Sequence, residues 1–439
     1  MSQQVHTSSR EAPGLCRRTF LQMAGAMALG AGATLALPRR APAALRGTKL
    51  HHLQWSSFVA PADDEMRRMA RDFQKATGVE VTIETINMND LQARISTAIE
   101  SGTGPDVVQM FWNWPQLYGP NLVDVDDLAE EISRRDGAYY AQLVDSCKVG
   151  GRWKAVPFCF VGNAIVYRED LFQQAGITRF PDTWDAYLEA GRKLKAMGYP
   201  IGQAFGHSLG DPPSFAYPLL WSYGGKEVDA SGKVVLNSKE TLEAVKFCMA
   251  FYKEALDEGG LAWDDTSNNR AYFAETISAT LNGVSIYFVA KQKFPHLAKV
   301  SNHAPNPAGP AGRYHMHLTQ EHAIMKYSPN VEAAKEWIRF VMQRDNFTRW
   351  MEVQEGYSLG PTPYWENIEM WEKDPKLDPY RRLAQYSRVF GYEGPPNAKA
   401  QEVFAKYIIV DMFARAIQSG DAQGAIAWAE SELKKVYEA

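Results

Sequence analysis

The sequence has few of the residues that mark metal, redox and nucleotide sites. Its 439 residues include only four cysteines, and the patterns C-x-x-C, H-E-x-x-H and G-x-x-x-x-G-K-[ST] do not occur. The formal net charge is −4 at pH 7, so there is no excess of lysine and arginine of the kind that nucleic-acid phosphates require. We therefore predict no cofactor, no metal and no nucleic-acid partner.

Long apolar runs are absent except near the N-terminus. Residues 19–38 carry no charge, follow the pair Arg17-Arg18 and lead to the small residues Ala41-Pro42-Ala43, which together are typical of a cleavable secretory signal. The arginine pair resembles the twin-arginine type, although Cys16 and Gln22 stand where that type commonly has Ser and Lys. The alternative is an uncleaved anchor, since about 20 apolar residues span a bilayer.

We favour cleavage, because the apolar stretch is mainly Ala, Gly and Met. The predicted signal peptide is residues 1–43, and the mature chain is predicted to be periplasmic. No cysteine follows the stretch directly, so we expect no lipid anchor. At about 150 residues per domain, the remainder predicts two or three globular units.

The mature chain keeps three cysteines, Cys147, Cys159 and Cys248. Cys147 and Cys159 could pair in an oxidising compartment, while buried free thiols are the commoner alternative. Aromatic residues are plentiful, with 12 Trp and 20 Tyr.

The order of elements predicts an α/β fold. A strand from Leu50 is followed by a helix that begins near Pro61 and ends at Gly78, then by the alternating strand at 79–83, a helix that ends at Gly102 and an apolar strand at 107–111. A βαβαβ order favours a mostly parallel sheet. The same pattern restarts after Gly151, with a helix capped by Thr183, a strand at 201–205 and a helix whose capping box is Asn237 with Glu240. This repetition predicts a second α/β lobe.

An ordered set of segments resembles the extracellular solute-binding proteins of family 1, the maltose-binding-protein-like group. The segments are Phe73–Ile83, Gly104–Val108, Gly150–Phe158, Tyr167–Ile177, Pro181–Asp185, Tyr272–Thr276 with Leu281–Gly283, and Glu332–Phe340. The resemblance implies a two-lobed periplasmic-binding-protein fold of type II, a cleft between the lobes, and delivery of a solute to an inner-membrane ABC permease by an expected monomer. It implies chain crossings near Val161, Pro305 and Gln354, so that residues 44–161 with 305–354 form lobe 1, and 162–304 with 355–439 form lobe 2.

Loops at the carboxyl ends of strands are where open α/β sheets bind ligands. In lobe 1 these loops carry Trp55-Ser56-Ser57 and Trp112-Asn113-Trp114, which join aromatic rings to hydroxyl and amide groups as a sugar site requires. Core packing is the alternative for each tryptophan, and it is favoured for Trp153, Trp337 and Trp428. In lobe 2 the candidates are Asp211, His207, Asn282 with Gly283, and Tyr357 with Ser358. A lone histidine such as His207 is more often a structural hydrogen-bond partner.

A metal site at His315, His317 and His322 beside Glu321 is a weaker hypothesis, because His322 falls on the opposite face if one strand continues through them.

Three functions remain in competition. The leading one is binding of a carbohydrate or related polar solute without chemistry; a non-sugar solute, such as a polyol or glycerol phosphate, is the alternative ligand. An exported hydrolase would need a pair of carboxylates, and the lobe 1 loops offer none. An exported redox protein would need a cofactor motif.

Overall fold

The computed structural model describes residues 45–439, so the predicted signal peptide lies outside the described residues. The first elements are β1 (Lys49–Trp55), α1 (Ala60–Thr77), β2 (Glu80–Ile86), α2 (Met88–Ser101), β3 (Val107–Phe111), α3 (Trp114–Tyr118), α4 (Asp126–Asp136), α5 (Ala141–Cys147), β4 (Lys148–Val149), β5 (Arg152–Trp153) and β6 (Val156–Val161). They follow the predicted βαβαβ order.

Local sequence explains where these elements begin and end. Helix α1 has a proline in its first turn and ends at Gly78, whose φ of 79° is the left-handed conformation that glycine adopts at little cost. Its buried residues Met66, Met69 and Phe73 form one face. All five residues of β3 are buried, as expected for a strand covered on both sides.

The middle of the chain builds a second lobe. Its elements are β7 (Ala164–Arg168), α6 (Glu169–Gln174), α7 (Trp184–Ala196), β8 (Ile201–Gly202), α8 (Asp211–Tyr223), α9 (Lys239–Ala255), α10 (Ser267–Phe273), β9 (Ala279–Asn282), α11 (Ser285–Lys293), α12 (Pro295–Val300) and β10 (Ser301–Ala304). Thr183 caps α7 as predicted, by accepting a hydrogen bond from the Ala186 N–H. Helix α9 is capped by Ser238, which bonds the Thr241 N–H, and not by the predicted Asn237.

The chain then returns to the first lobe and ends on the second. The last elements are β11 (Leu318–Ile324), α13 (Val331–Val341), α14 (Arg344–Glu352), β12 (Ser358–Leu359), four short 3-10 turns between Pro363 and Tyr386, α15 (Ala398–Ala405), α16 (Ile408–Ser419) and α17 (Ala422–Tyr437). Helix α16 packs on α8 and α9, so the C-terminal helices belong with the second lobe.

Two sheets organise the lobes. The larger has the order β12-β6-β11-β3-β1-β2, and the smaller has the order β10-β7-β9-β8. The βαβ units make β1 parallel to β2 and β3, because parallel strands need a crossover helix. Strands β11, β6 and β12 join antiparallel, so the larger sheet is mixed and the predicted mostly parallel sheet holds for its first three strands only. Since β12 pairs with β6, Ser358 and Leu359 lie in the larger sheet, beyond the predicted exit at Gln354.

One carboxyl group is fully buried inside the second lobe. Glu227 accepts hydrogen bonds from the Gly391 N–H at 2.6 Å and from the Tyr217 hydroxyl at 3.4 Å. Burial raises the pKa of Glu227 to about 7. Its charge state therefore changes near neutral pH.

Three cysteines lie within the described residues, and all three are buried free thiols. Cys147 and Cys159 are thus not joined in this structure. Among residues 45–439, no helix is both long and apolar enough to cross a membrane.

Candidate functional site

A cavity of about 40 Å³ lies between the two sheets. Its walls are Trp55, Phe58, Met88, Val161, Asn163, Gly210, Asp211, Asp265, Asn269, Asn282, Gly283, Ser285, Leu318 and Tyr357. The first lobe contributes mainly aromatic and aliphatic side chains, while the second contributes carboxylates, amides and a hydroxyl. Within the described part of the chain, no lysine, arginine or histidine lines this cavity.

The polar wall is a connected hydrogen-bond network. The amide of Asn268 donates to Asp211 Oδ2 at 2.7 Å, and that of Asn282 donates to the same oxygen at 3.3 Å. Asn282 Nδ2 also donates to Asn269 Oδ1 at 2.6 Å, while its Oδ1 accepts from the Ser285 hydroxyl at 3.0 Å. The network holds the Asp211 carboxyl group at the first residue of α8, facing the cavity.

Asp265 stabilises this arrangement by hydrogen bonds to the start of α8. Its carboxylate accepts from the backbone N–H groups of Asp211 at 2.7 Å and Gly210 at 3.1 Å, and from the Ser208 hydroxyl at 2.7 Å. A negative charge at the N-terminus of a helix is stabilised by free N–H groups and by the helix dipole. Asp265 therefore fixes the start of α8 and with it the position of Asp211.

Burial dominates the electrostatics of the two acids. It raises the pKa of Asp211 well above the usual range, and the nearby Asp265 carboxylate raises it further. Burial also raises the pKa of Asp265, against the lowering effect of its hydrogen bonds. With this excess of acids and no facing cation, the wall favours a neutral or hydrogen-bond-donating ligand over an anion.

The opposite wall is aromatic. Trp55 packs edge-on against Phe58 with ring centroids 5.7 Å apart, and lies 6.4 Å from the Tyr357 ring. Phe58 is 46% exposed, so it forms the rim of the cavity. A side chain at Gly283 would begin 3.1 Å from the Tyr357 ring, which explains why glycine occupies this close approach.

Two buried histidines form hydrogen bonds to the backbone of the first chain crossing, between β6 and β7. His315 Nδ1 donates to the Asn163 carbonyl at 3.0 Å, and the Asn163 N–H donates to His317 Nδ1 at 3.2 Å. Burial lowers the pKa of His317 to about 4, so the ring is neutral and can accept this bond. The pair thus positions Asn163 on the cavity wall.

The positions of His315, His317 and His322 argue against the hypothesis of a metal site. His315 and His317 precede β11, whereas His322 lies within β11 and packs edge-on against His52 with ring centroids 5.0 Å apart. Over residues 45–439, no group of three or more His, Cys, Asp or Glu side chains is arranged to hold a metal ion.

Five of the residues singled out from the sequence meet at the cavity: Trp55, Asp211, Asn282, Gly283 and Tyr357. The structure brings them together from four separate segments of the chain. They stand as the candidate ligand contacts.

The loop Trp112-Asn113-Trp114 lies outside the cavity walls. The Trp112 indole is fully buried against Phe404, with ring centroids 4.8 Å apart, and Asn113 Nδ2 donates to the carbonyls of Pro396 and Asn397 at 3.1 Å each. Trp114 packs edge-on against Phe111. In this structure the loop joins the first lobe to the C-terminal helices of the second.

The other four predicted residues also lie outside the cavity walls. Ser57 bonds the Val59 N–H at the start of α1, and its neighbour Ser56 is exposed. His207 stacks on Tyr407 and bonds Asp411 at 2.7 Å, on an exposed surface. Ser358 is buried and donates to Gln354. Hydrogen bonds outside the cavity therefore occupy the side chains of Ser57, His207 and Ser358.

The model of the family described as "Bacterial extracellular solute-binding protein" matches residues 56–346, which is more than half of the chain. The chain belongs to this family. The cavity between two lobes, one wall aromatic and one polar, is therefore the candidate solute site of a solute-binding protein.

Relatives of this solute-binding protein are distant in sequence and close in fold. A binding protein of Brucella abortus is 24% identical over 314 residues, covering 66% of this chain and 71% of the relative. The erythritol/L-threitol-binding protein of Mycolicibacterium smegmatis is 22% identical over 320 residues, covering 66% of each chain. The maltose-bound MalE3 structure of T. maritima superposes with a TM-score of 0.76 at 22% identity, covering 88% of this chain and 99% of that chain. The two-lobed fold is thereby confirmed.

Several cavity residues were not singled out from the sequence. They are Phe58, Met88, Val161, Asn163, Gly210, Asp265, Asn269, Ser285 and Leu318. The cluster of Asp, Ser, Thr and Asn at 264–269 was the available signal, since such a cluster marks a polar loop. Phe58 directly follows the loop at 55–57 and could have been added to it.

Proposed function

We propose that this solute-binding protein is the periplasmic component of an ABC importer for a neutral polyhydroxylated solute, a carbohydrate or a polyol. The observation that carries the proposal is the pairing of the Asp211–Asn282 network with the Trp55 and Tyr357 rings. Carboxylate and amide groups bond hydroxyls, while aromatic faces cover the C–H surface of a sugar. The absence of a lining cation among the described residues argues against a phosphorylated solute.

Relatives support the same class of ligand. A structure from Agrobacterium radiobacter is described in complex with ribitol, and it superposes with a TM-score of 0.74 at 19% identity, covering 89% of this chain and 99% of that chain. Together with the erythritol- and maltose-binding proteins described above, it makes sugars and polyols the first solutes to test. We further propose an inner-membrane ABC permease as the partner, a monomeric state, and export by the N-terminal signal.

Binding requires the lobes to move. The cavity of about 40 Å³ holds only a few water molecules, whereas pockets for small ligands measure about 300–1,000 Å³. We propose that the lobes separate about the three crossings to admit the solute and close on it afterwards.

A thermal-shift screen against sugars and polyols tests the proposal. A ligand at 100 times its dissociation constant adds about 2.7 kcal/mol to the free energy of unfolding, which is readily measured. Asp211→Ala is expected to remove the shift, because it deletes the acceptor at the centre of the polar wall. Asp185→Asn, on the exposed first turn of α7, is the control and should keep it. A library with no active sugar or polyol, but with an active anion, would contradict the proposed ligand class.

A further inference from the structure

A second, smaller cavity lies behind the aromatic wall. Its volume is about 20 Å³, enough for about one water molecule. Its walls are Gln54, Trp55, Ser57, Ala62, Asp63, Met66, Gln109, Phe158, Gln320, Trp350, Gln354 and Tyr357. We refer to it as the glutamine cage, defined by its four glutamines.

Three of these glutamines form a row across the larger sheet. Gln54 lies on β1, Gln109 on β3 and Gln320 on β11, which are neighbouring strands. Gln109 Oε1 accepts from the Trp55 N–H at 2.9 Å, and Gln109 Nε2 donates to Gln320 Oε1 at 2.6 Å. Gln54 is the last but one residue of β1, and the row adjoins Trp55, which ends β1 and lines the solute site.

One acceptor in the cage has no partner. Gln54 Nε2 donates to Asp63 Oδ1 at 3.1 Å, but Gln54 Oε1 is buried and bonds nothing among the described residues. The Gln54 residue is only 4% exposed. Buried polar groups are nearly always hydrogen-bonded, so an open acceptor on the wall of a cavity is a position where a donor from water or from a ligand can bind.

The groups that line the cage determine which kind of hydrogen-bond donor fits there. Asp63 Oδ2 also accepts from the Ser57 N–H at 3.2 Å, and no cation of the described chain lines the cage. A hydroxyl group fits such surroundings, because it can donate to Gln54 while accepting from a neighbouring amide. An anionic group would face a carboxyl group with no compensating charge.

The cage and the solute site share two walls. Trp55 and Tyr357 line both cavities, and their rings lie 6.4 Å apart. A displacement of these two rings would therefore join the two cavities into one.

We propose that the glutamine cage is a second subsite of the solute site, which takes a hydroxyl-bearing arm of the solute at Gln54. This inference rests on the proposed function, since it presupposes a polyhydroxylated ligand. It adds that the ligand extends into the first lobe past the rings of Trp55 and Tyr357.

The test measures affinity by calorimetry with erythritol, ribitol, D-glucose and maltose as probes. The probe that binds most tightly is then titrated into Gln54→Leu, which keeps the size of the side chain and removes the acceptor. Gln54→Asn is the second variant, since it withdraws the amide while keeping it polar. Gln142→Leu is the matched control, because Gln142 is a buried glutamine of α5, outside both cavities, whose amide also lacks partners.

The possible outcomes distinguish failure of the subsite proposal from failure of the proposed function. We expect roughly 10-fold weaker binding or more in both Gln54 variants, and unchanged binding in Gln142→Leu. Unchanged affinity in a folded Gln54 variant would overturn the subsite and leave the function standing, with the cage then serving only to hold Trp55. Equal loss in Gln142→Leu would also overturn it. If none of the four probes binds wild type, the most active sugar or polyol of the thermal-shift library takes their place, and a library with no active sugar or polyol would overturn both proposals.

Discussion

The buried carboxyl group of Glu227 is expected to make the stability of the protein depend on pH. Burial raises the pKa of this group from 4.5 to about 7 in the folded protein. The folded state therefore keeps the proton over a pH range in which the unfolded chain has lost it. It follows that the contribution of Glu227 to the free energy of unfolding falls as pH rises from about 4.5 to about 7, and is level above that range.

The size of the effect follows from the shift. Each pKa unit corresponds to about 1.36 kcal/mol, so the interval between 4.5 and about 7 corresponds to about 3 kcal/mol. Glu227→Gln removes the titrating group, while its amide oxygen can still accept from the Gly391 N–H. We expect the variant to gain about 3 kcal/mol relative to wild type between pH 4.5 and pH 8.

Urea denaturation at half-unit pH steps and fixed ionic strength measures the difference. Glu243→Gln is the control, because Glu243 is an exposed acid on α9 of the same lobe. Its curve should parallel that of wild type. A Glu227→Gln curve that also ran parallel to wild type across this pH range would show that Glu227 does not titrate there.

Four further outcomes are expected. Trp112→Ala deletes a fully buried indole and should lower the free energy of unfolding by about 3–5 kcal/mol in urea denaturation; a loss below about 1 kcal/mol would contradict its packing. Cys147 and Cys159 are buried and should react with a thiol reagent only after unfolding, so rapid labelling of the native protein would contradict their burial. Gly283→Val should weaken binding of the active probe about 10-fold in calorimetry, since its side chain meets Tyr357; equal affinity would contradict the close approach. A labelled oligosaccharide should yield no product on incubation, and product release would favour the hydrolase alternative.

Much of the fold could be predicted because its signals are local. The alternation at 79–83, the glycines after α1 and α2 and the cap at Thr183 depend on residues within one turn or one strand. The antiparallel additions to the larger sheet could not be predicted in this way. They depend on β11, which pairs with β3 about two hundred residues earlier in the chain.

The site was predictable only in part, since its chemistry is assembled from distant segments. Asp211 could be identified because a turn-rich segment precedes it in the sequence. Asp265 lies 54 residues further on, and its role depends on its hydrogen bonds to the end of that segment. Trp55 and Trp112 carry the same signal, an aromatic residue at the end of a strand. What distinguishes them is the surface opposite: the solute cavity for Trp55, and Phe404 for Trp112.

The contact between the Trp112 loop and the C-terminal helices provides an optical reporter within the unmodified chain. Any motion that parts the two lobes at this contact must break the two hydrogen bonds of Asn113 and transfer the Trp112 indole from the rings of Phe390 and Phe404 into water. Indole emission moves to longer wavelength in water. The difference spectrum between wild type and Trp112→Phe would then follow any such motion in real time, with no attached dye.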